Sequence, residues 1–292
     1  MQAADQQALL AIPVILAIGT AIAWAGSQGG VAVAGLPLFA VCGGIALGIN
    51  WAVFAHAYVA ETERFFDLTG SITYVAVVSV ALALSGEPGP RGWLIGGMVV
   101  VWAGRLGSFL FARIRRDGSD ARFDALKPSF VRFLMAWTLQ GLWVLLTLAC
   151  ALATITTNAP VPLDVFALAG SLIWAAGFAI EVAADRQKSR FRADAANRDR
   201  FIRSGLWAWS RHPNYLGEIT LWFGVAVIAL PVLTGWQYAT LISPVFVFVL
   251  LTRVSGVPLL ERRGEKKWGS DPEYRAYCDR TPVLFPRPPR TS

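Results

Sequence analysis

Long apolar stretches alternate with short polar segments along the whole chain. An α-helix crosses the hydrocarbon of a bilayer in about 20 residues. Stretches of this kind occupy residues 8–26, 34–58, 68–86, 92–112, 133–154, 163–184, 215–233 and 236–252. Spanning segments must satisfy their backbone hydrogen bonds internally, and the alternating pattern of a transmembrane barrel is missing. The pattern therefore predicts an all-α, polytopic transmembrane helical bundle of about eight spans.

The polar segments between the spans differ in charge. Basic residues concentrate in 113–132, 185–214 and the tail 253–292, whereas the connections on the other side hold almost none. Two spans separate each basic segment from the next. The positive-inside rule then predicts that the three basic segments, and both termini, are cytoplasmic. We predict one integral membrane domain over 1–292.

The composition agrees with a membrane protein. Hydrophobic residues make up 55% of the chain and charged residues 15%, against about 25% charged residues in a soluble domain. Three cysteines without paired spacing and two histidines predict neither a disulfide framework nor a metal site. The glycine spacings of Rossmann and P-loop folds are missing, so helices and basic loops would have to hold any nucleotide. We predict no nucleic-acid partner.

Ionisable residues within spans are costly and mark candidate sites. Asn214 and Glu218 lie one helical turn apart, directly after Pro213, which suits a first helical turn. The positive end of the helix dipole would favour an anionic ligand such as a phosphate there. The alternative is a helix end that interfacial residues hold in place.

Two further polar groups allow a functional and a structural interpretation. Glu181 and Asp185 form a second pair one turn apart, which either contributes to a ligand site or joins an interfacial salt-bridge network. Arg105 lies too deep in its span to reach the surface easily. It would therefore meet a bound anion or form a structural ion pair.

Asp67 begins the third apolar stretch, and Tyr74 lies seven residues later on the same helical stripe. A carboxylate and a phenol in this arrangement could polarise a carbonyl and deliver a proton. The alternative for Asp67 is a helix N-cap.

Several motifs together resemble one known family. They are "FFDLTGSITY" (65–74), "GRLGSFLFARIRRDGSDARF" (104–123), "TLQGLW" (138–143), "RHPNYLGE" (211–218), "GVPLLERR" (256–263) and "PEYRAYCDRTPVLFPRPP" (272–289). The chain resembles the steroid 5-alpha-reductase-like family of bacterial integral membrane proteins over roughly residues 60–289. The resemblance implies a seven-span reductase core in 61–289, preceded by N-terminal spans in 8–60, in the bacterial inner membrane.

The resemblance also implies a function. It implies an NADPH-dependent reductase of a conjugated C=C bond in a lipid-like substrate, a steroid or isoprenoid, which enters from the surrounding lipids. Asp67 matches the family's catalytic acid. The implied cofactor-binding residues are Arg105, Arg113, Asp120, Arg122, Glu181, Asp185, Lys188, Arg192, Arg200, Arg211, His212, Asn214, Tyr215, Glu218 and Glu261. The family's catalytic tyrosine is replaced by Trp102, which has no phenolic proton. Either Tyr74, on the neighbouring helix, takes its place, or the reaction differs from that of the family.

Two other function classes stay open. Membrane methyltransferases of the isoprenylcysteine carboxyl methyltransferase type share a similar "RHP-x-Y" entry and a Glu-containing tail, and Glu261 and Tyr274 fit them equally. Their cofactor, S-adenosylmethionine, has no phosphates, so most loop arginines would face the anionic bilayer surface instead. The third class is a non-catalytic membrane protein. The sequence predicts neither the substrate nor the oligomeric state.

Overall fold

The computed structural model describes residues 3–117, 120 and 122–289, and 76% of the chain is helical. Within the described residues, eight helices are long and apolar enough to cross a membrane, which confirms the predicted helical, polytopic fold. The α-helices are α1 (Ala3–Gly26), α2 (Leu38–Val59), α3 (Phe66–Leu84), α4 (Gly89–Asp117), α5 (Phe130–Ile155), α6 (Val165–Ala193), α7 (Pro213–Ala229), α8 (Ile242–Val249), α9 (Val257–Trp268) and α10 (Pro272–Arg280).

The last spanning segment, Gly235–Trp268, changes its helical form along its length. It begins as a 3-10 helix, continues as α8, passes through a π-helical turn and ends as α9. The shorter elements are 3-10 helices at Ala195–Asn197, Gly205–Ala208, Leu230–Val232 and Gly235–Leu241 and the π turn at Leu250–Val254. The predicted span 236–252 therefore covers only the first part of this segment.

The basic segments contain more helix than predicted. The segment 185–214 begins inside α6, which continues to Ala193, and 113–132 begins inside α4, which continues to Asp117. The tail 253–292 contains α9 and α10. Arginine and lysine are good helix formers, so a high basic content marks the end of the apolar stretch without ending the helix.

The predicted span 34–58 begins later than expected because a small hairpin precedes it. Strands β1 (Ala32–Val33) and β2 (Leu36–Pro37) pair antiparallel. The two residues between them, Ala34 and Gly35, have φ angles of 51° and 80°. Positive φ at both central positions is the requirement of a two-residue type I′ turn, which glycine tolerates best.

The chain divides into two compact units. The first comprises Met1–Ala167 with Ile228–Ser243, and the second comprises Leu168–Val227 with Pro244–Ser292. The single integral domain stays a prediction. In the first unit α5 is central, because it packs on α1, α2, α3 and α4. In the most apolar part of α5 89% of the residues are buried, whereas the corresponding value for α1 is 28%. A helix without a charge over most of its length suits this position.

In the second unit α6 and α7 pack backbone against backbone through glycines. A Cβ atom on Gly177 would lie 2.5 Å from the backbone nitrogen of Leu221, and one on Gly217 would lie 2.6 Å from that of Glu181. Gly224 approaches α6 equally closely, because a Cβ there would lie 2.7 Å from the carbonyl oxygen of Gly170. Small residues permit this close approach between membrane helices.

Candidate functional site

The candidate site of the second unit surrounds the first turn of α7. The carbonyl of His212 accepts a hydrogen bond from the N–H of Leu216 (3.2 Å), so His212 is the N-cap residue and Pro213 is the first helical residue. The N–H of His212 itself donates to Oγ of Ser210 (3.2 Å). The predicted helix start at Pro213 is therefore confirmed.

Glu261, on α9, joins two side chains at this helix start. Its Oε1 lies 2.7 Å from Nε2 of His212, and its Oε2 lies 2.6 Å from Nη1 of Arg211. The backbone N–H of Arg211 donates to the carbonyl of Pro282 (2.9 Å), which fixes the segment before the helix. A carboxylate only accepts, so Nε2 of His212 carries the proton and Nδ1 of the neutral ring is an acceptor.

The imidazole of His212 is buried, with 4% of the residue exposed. Burial lowers the pKa of His212 below its usual 6.5, and the hydrogen bond to Glu261 offsets this only in part. Lys188 and Arg211 lower the pKa further through their charge. The ring stacks on Tyr215, with centroids 5.6 Å apart and planes at 10°. His212 is therefore neutral and fixed in orientation at neutral pH.

Three polar atoms at this helix start are buried and have no hydrogen-bond partner among the described residues. They are Nε of Arg211, which is a donor, Nδ1 of His212 and Oδ1 of Asn214. The last two are hydrogen-bond acceptors, and an unpaired buried acceptor costs about 1–3 kcal/mol. A ligand that presents N–H or O–H groups would relieve this cost.

The glycine contacts bring the two predicted polar pairs onto adjoining helices. Gly217, which lies between Asn214 and Glu218, packs on the backbone of Glu181. Glu181 and Asp185 are 2% and 5% exposed, so both carboxylates are buried in α6. Buried carboxylates need cations or hydrogen-bond donors.

The segment before Arg211 is anchored to the end of α6 and to α10. Gly205 adopts a φ of 62°, which lets the N–H of Leu206 donate to Oε1 of Gln187 (2.9 Å). Nε1 of Trp207 donates to the carbonyl of Ala184 (3.1 Å), and the hydroxyl of Tyr277 donates to the carbonyl of Trp207 (2.8 Å). These contacts position the arginine and histidine of the site.

The predicted cofactor-binding basic residues of the second unit differ in their exposure and in their contacts. The ammonium of Lys188 lies 4.6 Å from the ring centre of Trp207. Arg192, at the end of α6, and Arg200, in the following loop, are exposed. Arg211, in contrast, is only partly exposed and forms the ion pair with Glu261.

In the first unit Asp67 is the second residue of α3, and the N-cap is Phe65, so the N-cap alternative for Asp67 is wrong. Nη2 of Arg122 lies 3.8 Å from Oδ1 of Asp67. Nε of Arg122 also donates to Oδ2 of Asp120 (2.7 Å). The ring of Tyr74 meets the ring of Trp102 edge to face at 5.1 Å. Tyr74 thus touches the position at which the resemblance implies a catalytic tyrosine.

The remaining predicted residues lie on α4. The guanidinium of Arg105 lies 5.4 Å from the ring centre of Phe109, one turn along the helix. The side chain of Arg113 lies outside the described part of the chain. Arg105 thus makes a cation–π contact within α4 that the sequence did not predict.

The first unit contains an ion cluster that the sequence did not predict. Nζ of Lys127 lies 2.7 Å from Oε2 of Glu63, and the backbone N–H of Asp120 donates to Oε1 of Glu63 (2.8 Å). Glu63 is 5% exposed. The partners are 64 residues apart in the chain, and no periodic pattern links residues at such a distance.

Comparison with known proteins places the chain in a family. It belongs to the family described as "Protein of unknown function (DUF1295)", which matches residues 53–281. An uncharacterized protein of Schizosaccharomyces pombe is 35% identical over 102 residues, which is 34% of this chain and 27% of that relative. The chain thus spans about a quarter of the relative's length. No solved structure matches.

Proposed function

We propose that the protein is an NADPH-dependent membrane reductase that acts on a conjugated carbon–carbon double bond of a lipid-like substrate. The observation that carries the proposal is that two buried acceptors, Nδ1 of His212 and Oδ1 of Asn214, find no hydrogen-bond partner in the described part of the chain. The carboxamide of a nicotinamide presents N–H donors of the kind that these acceptors require. Its carbonyl oxygen accepts, and the free N–H groups of the first turn of α7 are donors close by.

The charged residues near this helix start support a phosphate-bearing cofactor. Lys188, Arg192 and Arg200 lie on the last turns of α6 and in the loop that follows it. Arginine binds phosphate through two parallel N–H···O contacts, and lysine adds a point charge. We assign these three residues to the phosphates of the cofactor. The additional 2′-phosphate of NADPH, which NADH lacks, would use the excess of basic residues.

The proposal assigns the substrate carbonyl to Asp67 and Tyr74. When bound, NADPH would supply a hydride to the β-carbon of the conjugated alkene. Negative charge then develops on the carbonyl oxygen, and the phenol of Tyr74 would donate a hydrogen bond to it. The edge-to-face contact with Trp102 orients that phenol. Asp67, in the first turn of α3, would accept a hydrogen bond from Tyr74 or from a water molecule that donates to the same oxygen, and the enolate would take up a proton from water at its α-carbon to complete the reduction.

The test is ligand-induced stabilisation of the purified protein in detergent. NADPH, NADH and S-adenosylmethionine are titrated separately while thermal unfolding is recorded. A ligand at 100 times its Kd adds about 2.7 kcal/mol to the free energy of unfolding. We expect this stabilisation with NADPH and a much weaker one with NADH. Equal effects of the two would contradict the role of the extra phosphate, and no effect of either would contradict the reductase.

One observation favours the methyltransferase alternative. Three arginines of the basic segments are already neutralised, because a carboxylate oxygen lies 2.8 Å or less from each guanidinium. The pairs are Arg122 with Asp120, Arg203 with Glu273, and Arg211 with Glu261. A cofactor without phosphates needs fewer cations. Stabilisation by S-adenosylmethionine without an effect of NADPH would establish this alternative in the same titration.

A further inference from the structure

Amide side chains are buried where α2, α3 and α5 pack together in the first unit. Nδ2 of Asn50, on α2, donates to the carbonyl of Ala46 (2.8 Å) and to Oγ1 of Thr73 on α3 (3.4 Å). Nε2 of Gln140, on α5, donates to the carbonyl of Phe66 (2.8 Å), the first residue of α3. Both amides therefore bond to α3 from neighbouring helices.

The glycines of this region show how closely the three helices approach one another around the two amides. A Cβ on Gly70 would lie 2.5 Å from Nε2 of Gln140, so this side chain lies directly on the α3 backbone. Gly70 and Thr73 are three residues apart and share a face of α3. A Cβ on Gly141 would lie 3.4 Å from the carbonyl oxygen of Ala46, so α5 also touches α2 at this level. We call this place the amide junction; its members are Asn50, Thr73, Trp137 and Gln140.

Three polar atoms of the amide junction have no hydrogen-bond partner among the described residues. They are Oδ1 of Asn50, Oε1 of Gln140 and Nε1 of Trp137. Asn50 and Trp137 are 0% exposed and Gln140 is 5% exposed. Trp137 precedes Gln140 by three residues on one face of α5, and its ring meets that of Phe66 at 5.1 Å.

The contacts already made by the amide nitrogens determine which of these three atoms are acceptors and which is a donor. Nδ2 of Asn50 and Nε2 of Gln140 each bond to a backbone carbonyl, which can only accept, so neither amide can be reversed without losing that bond. The unpartnered atoms are therefore two acceptors and one donor, the indole N–H. A water molecule donates two hydrogen bonds and accepts others, and buried waters make about three hydrogen bonds on average.

We infer that the amide junction binds a hydroxyl group, which donates to the amide oxygens and accepts from the indole N–H of Trp137. An internal water molecule has the two donors and the acceptor that these three atoms require. The alcohol group of a bound lipid would satisfy the indole and one amide oxygen. The site lies beside the first turns of α3, which carry Asp67, and it does not depend on the proposed reduction.

Hydroxyl-radical footprinting with mass spectrometry tests the inference in nanodiscs of synthetic, saturated phosphatidylcholine, which contains no lipid alcohol. Trp207 is the matched control, because it is equally buried (3% exposed) and its Nε1 is already bonded to the carbonyl of Ala184. Radicals form at internal water, so we expect Trp137 to be oxidised several-fold faster than Trp207. Asn50→Leu and Gln140→Met should each lower the rate of Trp137 towards that of Trp207.

The same experiment distinguishes the two sources of the hydroxyl. If a lipid alcohol occupies the junction, Trp137 is protected in the protein as purified and becomes reactive after transfer to the synthetic lipid. Lipid extracts of the wild type then contain an alcohol that extracts of Gln140→Met lack. If Trp137 reacts no faster than Trp207 in either lipid, the inference is wrong. This comparison uses only the wild type, so it holds even if a variant does not fold.

Discussion

The two carboxylates that organise the ion clusters, Glu63 and Glu261, differ in what surrounds them. In each, both oxygens are within 2.8 Å of a hydrogen-bonding partner. Around Glu63 the cluster is complete, because Lys127 and the backbone of Asp120 use both of its oxygens. Beside Glu261, in contrast, Nδ1 of His212 has no partner among the described residues. A closed cluster stabilises the fold, whereas an incomplete one leaves atoms for a ligand.

The pKa of Glu63 fits a closed cluster. Burial alone would raise the pKa of Glu63, but the hydrogen bonds from Lys127 and from the backbone of Asp120 outweigh burial and lower it below 4.5. The pKa of Lys127 is raised by the same contact. Both groups are therefore charged at neutral pH, and their pairing contributes to stability over the whole physiological range.

The largest expected effect is the loss of stability in Glu63→Gln. The amide keeps the shape of the side chain but removes the charge that Lys127 requires. Losing hydrogen bonds to a charged group costs about 1.5–3 kcal/mol of unfolding free energy. Glu61→Gln is the matched control, because Glu61 is exposed and lies two residues away. We expect thermal unfolding in detergent to show the loss in Glu63→Gln alone. An equal loss in both variants would mean that the Glu63 cluster is not a stabilising one.

A smaller and opposite effect is expected from Asn214→Ala. The oxygen that this change removes is buried and has no partner among the described residues, so the free energy of unfolding should not fall. The affinity for NADPH should fall about tenfold, which corresponds to the loss of one hydrogen bond of about 1.4 kcal/mol. The measurement is an NADPH titration, with Asn158→Ala, in an exposed turn, as the control. Lower stability with unchanged affinity would assign Asn214 to the fold and not to the site.

The fold was largely predictable because hydrophobic length is a local property. Each of the eight apolar stretches contains its own evidence for a span, and α7 also shows its start through Pro213. Helix ends were less predictable. The basic end of α6 continues to Ala193, because charge ends a membrane-embedded stretch and does not end a helix.

The contacts of the site were less predictable, because they join distant parts of the chain. His212 and Glu261 are 49 residues apart, and nothing in either local sequence indicates the other. The buried Arg91 is a further example: it donates to the carbonyls of Pro162 (2.6 Å) and Ile228 (2.5 Å). The glycines of α6 and α7 could have been noticed, since Gly170 and Gly177, like Gly217 and Gly224, are seven residues apart. That spacing places them on one helical face.

The smallest expected effect is the pH dependence of the free energy of unfolding that the titration of His212 causes. Its pKa in the folded protein lies below 6.5, mainly because of burial, so the unfolded chain binds more protons between the two values. Stability is then complete above about pH 6.5 and falls as the pH drops towards the folded pKa, by no more than about 1.4 kcal/mol per pH unit. The effect of Glu63 begins only below about pH 4.5, where its carboxylate starts to take up protons in the unfolded chain.

Thermal unfolding of the wild type and of His212→Gln, measured between pH 7.5 and 5, separates these contributions. Glutamine can still donate to Glu261 but does not titrate, so the variant should lose the pH-dependent part of the stability in this window and keep the rest. If the wild type instead becomes more stable on acidification and the variant does not, the bond to Glu261 outweighs burial and His212 is charged when folded. Its Nδ1 would then be a donor, and the site would suit an anionic group such as a phosphate at that atom in place of the carboxamide N–H.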